Sequence, residues 1–137
     1  MNQEKIKNFF DSAGFSRHNG IVTEEIREGY ARMSLVLGAD GLNLNGVVHG
    51  GLLFSLADLS AGAGAVAYGE NVTTIDGSIN FIRPCTGGKI TAEAEVIHKG
   101  RKTAVFSVNI TNDAGKLLSH ATITMFFMGK LPDELLD

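Results

Sequence analysis

The chain has 137 residues, enough for one domain with a substantial core but too few for two, so we expect residues 1–137 to form a single domain. Its 12 basic and 15 acidic side chains give a formal net charge of -3, which leaves no global positive field for nucleic acid. The single cysteine, Cys85, excludes an intrachain disulfide framework, and the first residues lack the apolar core of a signal peptide. We therefore expect a cytoplasmic protein with neither nucleic-acid nor membrane partners.

The N-terminal segment is predicted to form a short helix followed by a hairpin. Residues 2–13 repeat apolar side chains at helical spacing and stop at Gly14. Segments 18–26 and 29–37 alternate polar and apolar side chains on either side of a tight turn, which is typical of two antiparallel strands.

A long run of small and apolar residues then predicts a buried helix from about Gly50 to Tyr68, with Gly69 where a left-handed cap residue is expected. The stretch Gly50–Ala67 has about the length of a membrane span. However, Asp58 lies at its middle, and an acid there costs about 2.5 to 3.5 kcal/mol on insertion scales. A helix buried in a protein core fits better.

Four strands are predicted after this helix, at residues 73–83, 89–99, 102–111 and 117–128. Short turns join the last three, which are therefore expected to form a meander, and the tail from Gly129 has little pattern. The element order indicates an α+β fold in which one antiparallel sheet wraps around the long central helix. Open sheet edges and apolar last strands favour pairing with a second copy.

Four spaced motifs lie along the chain. They are Asn43–Gly51, which ends in His-Gly-Gly; Leu53–Asp58; Thr73–Pro84, which ends in Arg-Pro; and Val96–Thr103 together with Asn112–Gly115. Their combination, over about residues 18–128, resembles the hotdog-fold thioesterases related to the phenylacetate-pathway PaaI proteins and to 4-hydroxybenzoyl-CoA thioesterases. The resemblance implies the hotdog fold and hydrolysis of an acyl-CoA, with an aromatic or medium-chain acyl group, to the free acid and coenzyme A.

The resemblance also implies roles for five residues. Asp58 is implied to be the general base or the nucleophile, two roles that the sequence does not separate. Its alternative role is structural: a helix acid satisfied by a neighbouring backbone amide or by an ion pair across an interface. The Gly50 amide, at a helix N-terminus, is implied to hold the oxyanion, while a tight junction between loop and helix is the structural role of Gly50 and Gly51, and both roles can hold together. Asn43 and Thr74 are implied to orient the reactants, although turn formation and strand propensity explain them equally well. His49 is expected to organise the loop by hydrogen bonding and not to titrate.

Basic residues at strand ends are candidates for binding the coenzyme A phosphates, although isolated surface cations are ordinarily only solvated. The expected substrate-binding residues are Gly51, Arg83, Lys99, Gly100, Arg101 and Lys102, with the tip from Lys99 to Lys102 as the first choice. No metal is expected, because the four histidines are isolated from one another and from Cys85. No cofactor is expected either, because thioester hydrolysis needs only a base, positioning and charge stabilisation.

In the relatives, the acid of one subunit faces the His-Gly-Gly loop of the other, so the resemblance implies that the active site requires a homodimer, with a homotetramer as a further expectation. Two alternatives compete. A hydratase of the same fold would carry a His-Phe-Pro segment or an Asp with a His five residues later, and this chain has neither. A non-catalytic acyl-CoA sensor would not need the acid. Phe54, Tyr68 and Phe81 are candidate walls of the acyl pocket, with core packing as their alternative role.

Overall fold

The computed structural model describes residues 2–136, and this part of the chain contains one six-stranded antiparallel sheet and a long helix lying across it. The strands are β1 Val22–Arg27, β2 Tyr30–Leu37, β3 Glu70–Phe81, β4 Gly88–Lys99, β5 Thr103–Thr111 and β6 Leu117–Lys130. The helices are α1 Gln3–Ser12, α2 Gly14–His18, α3 Gly50–Val66 and α4 Asp133–Leu136, with a 3-10 turn at Ala39–Gly41. The predicted α+β architecture, a sheet wrapped around one long helix, is confirmed.

The strands lie in the order β1-β2-β4-β5-β6-β3. The predicted meander of β4, β5 and β6 is present, and β3 pairs antiparallel with β6 at the end of the sheet. Period-two alternation turns one set of side chains toward α3. These include Ile90, Ala92, Ala94, Phe106, Val108, Ile110, Ala121 and Ile123, all fully buried. The core therefore lies between the concave sheet face and α3, which packs against all six strands.

Helix α3 is apolar on nearly every side because it is enclosed, as the sequence predicted. Its helical hydrogen bonds end near Ala67, and Gly69 follows with a φ of 97°, a left-handed conformation that glycine adopts without steric cost. Within residues 2–136, no helix is both long and apolar enough to cross a membrane.

The predicted first strand was wrong at its start, and the tail was underestimated. The strand predicted over residues 18–26 begins only at Val22, because residue 18 ends α2 and residues 19 and 20 form the turn that follows it. The helix α2 itself, Gly14–His18, was not predicted. In the tail, Leu131 and Leu135 are buried and α4 forms. Their burial depends on surfaces that distant parts of the chain supply, so local periodicity did not reveal it.

The two edges of the sheet differ. The β1 edge is covered by α1, whose Asp11 carboxylate accepts hydrogen bonds from the Thr23 amide at 2.8 Å and the Thr23 hydroxyl at 2.7 Å. In contrast, no strand among residues 2–136 pairs with the outer edge of the twelve-residue β3, and Ile75 on it is 57% exposed. A long open edge of this kind is available for pairing with another chain.

Candidate active site

Asp58 lies midway along α3 and is only half-buried, so its burial is less severe than the apolar sequence around it suggests. Its Oδ1 accepts a hydrogen bond from the Thr74 hydroxyl on β3 at 2.5 Å. Among residues 2–136, Asp58 makes neither an ion pair nor a hydrogen bond with a backbone amide, and Oδ2 accepts no hydrogen bond. One carboxylate oxygen is thus held while the other is free.

Asp58 opens onto a cavity of about 230 Å³ between α3, α1 and β3. Leu59, Gly62 and Val66 continue its wall along α3, and its other apolar walls are Phe9, Phe10, Val72 and Met125. Sequence reasoning missed the α1 residues and Gly62. The only hint in the sequence was that Asp58, Gly62 and Val66 are four residues apart and therefore share one helix face.

The aromatic residues predicted as pocket walls lie elsewhere. Phe54 packs against Gly77, and Tyr68 packs edge-on against Phe127 with ring centroids 6.3 Å apart. Phe81 lines a different cleft, beside Gly50. None of the three lines the cavity at Asp58, and their role as walls of the acyl pocket stays a prediction.

His49 caps the N-terminus of α3. Its Nδ1 accepts a hydrogen bond from the Gly51 amide at 2.8 Å, and its carbonyl accepts from the amides of Leu52 and Leu53. In this contact Nδ1 is the acceptor, which leaves Nε2 as the ring nitrogen available to other partners. A Cβ on Gly51 would lie 3.0 Å from Nδ1, so any larger residue here would displace the ring by a few tenths of an ångström. This geometry supports the loop-organising role expected of His49.

These contacts leave one amide of the first helical turn unused. The Gly50 N–H has no acceptor among residues 2–136, whereas the next three amides each have one. Gly50 has no left-handed backbone conformation, but a Cβ there would lie 3.1 Å from the Phe81 ring. This free N–H lies at the N-terminus of α3, where the helix dipole is positive. Such a group favours binding of an anion or of an oxygen that is gaining negative charge.

Asn43 shares the cleft of about 340 Å³ that Gly50 lines. Its Oδ1 accepts from the amides of Asn45 at 2.9 Å and Val47 at 3.3 Å, which fixes the orientation of the side-chain amide. Its Nδ2 makes no hydrogen bond within residues 2–136. Asn43 therefore forms the turn, one of its two expected roles, and keeps a free donor in the cleft that contains Gly50.

The acid and the amide donors do not meet within one chain. Gly50 and Asp58 are eight residues apart on the same helix, which separates them by about 12 Å along its axis. The cavity at Asp58 and the cleft at Gly50 have no lining residue in common. A single chain thus carries Asp58 and Thr74 at one cavity, and Asn43 and Gly50 at a separate cleft.

The hairpin tip from Lys99 to Lys102 was predicted to bind the phosphates. Two of its residues make contacts within the chain, and the other two line a cleft. The Lys99 ammonium lies over the rings of Tyr68 at 5.0 Å and Phe127 at 5.1 Å, a cation–π arrangement. The Gly100 amide donates to the Thr103 carbonyl and closes the turn. Both residues have contacts within the chain, and their role in phosphate binding stays a prediction.

Three other cations line open clefts. Arg83 lies with Gly50 and Asn43, while Arg101 and Lys102 line a cleft of about 530 Å³ beside Phe126 and Met128. Residues 2–136 contain no group of three His, Cys, Asp or Glu side chains arranged to hold a metal ion.

The chain matches the model of the thioesterase superfamily over residues 45–119. It is 34% identical over 101 residues to the acyl-coenzyme A thioesterase PaaI of Escherichia coli K12, covering 73% of this chain and 72% of that one. It is 30% identical over 115 residues to the 1,4-dihydroxy-2-naphthoyl-CoA hydrolase of Listeria monocytogenes, covering 82% and 94%.

Solved structures agree with these matches. The E. coli PaaI protein of the phenylacetic acid degradation operon superposes with a TM-score of 0.86 at 28% identity, covering 90% of each chain. A hypothetical thioesterase of Streptococcus pneumoniae TIGR4, solved with coenzyme A, gives a TM-score of 0.84 at 31% identity over 91% of this chain and 98% of that one. The chain belongs to the thioesterase superfamily and is a hotdog-fold thioester hydrolase of the PaaI type.

Proposed function

We propose that this protein hydrolyses an acyl-CoA, with an aromatic or medium-chain acyl group, to the free acid and coenzyme A. The observation that carries the proposal is the pair of half-sites: a carboxylate with one free oxygen, and two N–H donors without acceptors in a second cleft. The relatives add support, since two are named for the hydrolysis of CoA thioesters and a third was solved with coenzyme A.

Asp58 would act through Oδ2, because Oδ1 is held by Thr74. As a general base it takes a proton from water while the oxygen of that water attacks the thioester carbonyl. As a nucleophile it attacks the carbonyl itself, and water then hydrolyses the resulting anhydride. In both routes the C–S bond breaks, the thiolate leaves as coenzyme A, and the Gly50 and Asn43 donors stabilise the negative oxygen of the tetrahedral intermediate. No cofactor takes part in either route.

The reaction would require two chains. A base and an oxyanion donor must each lie about 3 Å from groups on the same carbonyl. The separation of about 12 Å between Gly50 and Asp58 on one helix is too long for this. We therefore place Asp58 and Thr74 of one copy against Asn43 and Gly50 of a second copy.

The open edge of β3 offers a way to bring these halves together. Thr74 marks one half-site, and Phe81, which lies against Gly50, marks the other. They are seven residues apart, about 23 Å along the strand. We place the two copies of β3 antiparallel, with Thr74 of one copy opposite Phe81 of the other and the two-fold axis near Gly77. This pairing would bring the Asp58 cavity of one copy next to the Gly50 cleft of the other. It would also bring Arg83 of one copy toward the Arg101 and Lys102 cleft of the other, as sources of positive charge for the phosphates.

The first experiment is to measure thiol release from a panel of aromatic and aliphatic acyl-CoAs by the parent protein and by Asp58→Asn, which preserves shape and removes the base. We expect the variant to stay folded and to lose at least about 100-fold in kcat. If the parent binds these thioesters but turns none over, the hydrolase proposal is wrong and a sensor is favoured. Equal activity in both proteins would remove Asp58 from the chemistry.

A second experiment tests the shared site. Asp58→Asn and Gly50→Pro are each inactive in the proposal, but a dimer containing one of each has one intact site. Random reassortment should therefore restore about one quarter of the wild-type rate when the two inactive proteins are mixed and exchanged. If each site lay within one chain, mixing would restore nothing.

A further inference from the structure

Phe81 lies against the residue that carries the proposed oxyanion donor, and the role inferred from this contact rests on the proposed function. We propose that Phe81 is a positioning residue for the reaction: its ring, packed against Gly50, fixes the direction of the free Gly50 N–H. The two residues form a matched pair, because the ring fits only where a side chain is missing and the donor depends on the ring.

A donor that stays free for a substrate cannot be held by a hydrogen bond of its own. The amides of Gly51, Leu52 and Leu53 all donate to His49, which fixes their directions. The Gly50 N–H has no acceptor among residues 2–136. It also begins a pair of glycines, the residue type with the most backbone freedom. The packing around Gly50 is therefore what limits the movement of this N–H.

Phe81 supplies that packing. A Cβ on Gly50 would lie 3.1 Å from Cζ, 3.3 Å from Cε1 and 3.6 Å from Cε2 of the ring, so the tip of the ring points at the glycine. The backbone that carries the ring is itself held. The amides of Ile82 and Arg83, which follow Phe81, both donate to the Leu118 carbonyl, at 2.8 and 3.1 Å, and tie the end of β3 to β6. The ring is thus a fixed stop beside Gly50.

Burial does not explain a phenylalanine at this position. The Phe81 side chain is 56% exposed and lines the cleft of about 340 Å³ that also contains Gly50 and Asn43. The ring covers one side of Gly50, and a donor from which water is partly excluded stabilises a developing negative charge more strongly. An aromatic side chain gives this cover at a low cost in conformational entropy, because it has only two rotatable bonds.

The experiment compares the parent with Phe81→Leu, which keeps an apolar side chain but removes the ring. We expect kcat to fall about 10-fold while KM stays within about twofold, because a misdirected donor loses its effect in the transition state. In the Gly50→Pro background, where the donor is absent, the same substitution should cost less than about twofold. Phe15→Leu is the matched control, since Phe15 is 55% exposed and lines a different cleft.

A second measurement does not depend on turnover. The backbone order parameter of the Gly50 amide, obtained from NMR relaxation, should fall in Phe81→Leu from about 0.85 toward about 0.6. The Gly51 amide, which donates to His49, should keep its value. Phe81→Met has a flexible chain in place of the ring and should show the same losses, so it keeps the test informative if the leucine variant does not fold.

A loss in Phe81→Leu that adds in full to the loss in Gly50→Pro, or an order parameter that does not change, would overturn this role of Phe81. A rise in KM that depends on the acyl group, with kcat unchanged, would make Phe81 a wall of the acyl pocket and would overturn the role as well. A parent that hydrolyses no acyl-CoA would overturn the proposed function, while the order parameter would still show whether the ring fixes the Gly50 amide.

Discussion

The hydroxyl of Thr74 donates to Oδ1 of Asp58 at 2.5 Å and so links the exposed edge strand β3 to the enclosed helix α3. The contact orients the carboxylate and leaves Oδ2 open to the cavity. It also makes the position of the acid depend on the strand that we propose pairs with a second copy.

Thr74→Val replaces the hydroxyl by a methyl group of similar size. Hydrogen bonds to charged groups contribute about 1.5 to 3 kcal/mol, so we expect kcat to fall about 10- to 100-fold. Thr74→Ser keeps the hydroxyl and should retain most of the activity. Steady-state rates and melting temperatures of both variants test this, and a valine variant as active as the serine variant would contradict it.

Gly50→Pro removes the proposed oxyanion donor without breaking the helix. Proline is favoured at the first helical position, and His49 has the extended backbone, φ -68° and ψ 133°, that a following proline requires. We expect kcat to fall about 100- to 1,000-fold while the melting temperature changes little. Gly50→Ala adds a Cβ but keeps the N–H, so it is the control for the contact with Phe81. Equal losses in both variants would indicate crowding instead of a lost donor.

Ile75→Lys places a charge on the open edge of β3, where Ile75 is 57% exposed. Charges on edge strands oppose strand pairing, so we expect a monomer with at least tenfold lower activity. Val36→Lys is the control, since Val36 is 74% exposed on β2, which lies far from the open edge of β3 in the strand order. Sedimentation velocity and rates measured on the same samples provide the test. A fully active monomer would contradict the two-chain site.

The environment of Glu24 predicts how the free energy of unfolding depends on pH. Burial raises the pKa of this carboxyl, but hydrogen bonds from Lys89 at 2.7 Å, Ser34 at 2.6 Å and Arg32 at 2.9 Å outweigh burial and hold the pKa at about 2, against an ordinary 4.5. A depressed carboxyl pKa contributes stability that is present above pH 4.5 and is lost as the pH falls toward 2.

We expect Glu24→Gln to lower the free energy of unfolding at pH 7 by about 1 to 2 kcal/mol, since solvent reaches the side chain and reduces the full effect. The difference between parent and variant should shrink from pH 4.5 toward pH 2. Urea unfolding across this range measures it, with Glu28→Gln in the neighbouring exposed turn as the control. A difference that does not change with pH would show that the charge of Glu24 is not responsible.

The fold was largely predictable because its main elements have strong local patterns. The apolar run of α3 and the alternation in β4, β5 and β6 follow from side-chain burial in a helix and a sheet, and the structure has all four elements near the expected residues. Weak patterns failed. The tail takes its conformation from distant segments, as in the hydrogen bond from the Leu131 amide to the Gly69 carbonyl, and no local window contains such contacts.

The sequence by itself determined the chemistry available: an acid within an apolar helix, a histidine and two glycines at the start of that helix, and a resemblance that joins them to thioester hydrolysis. Only the tertiary structure decided which of these groups meet. It placed Thr74 on Asp58 and occupied Lys99 with two aromatic rings, and it put α1 over the cavity that begins at Asp58. These contacts depend on how strands and helices that are far apart in the chain pack against one another. The spacing of residues along the sequence does not give the distances between such elements.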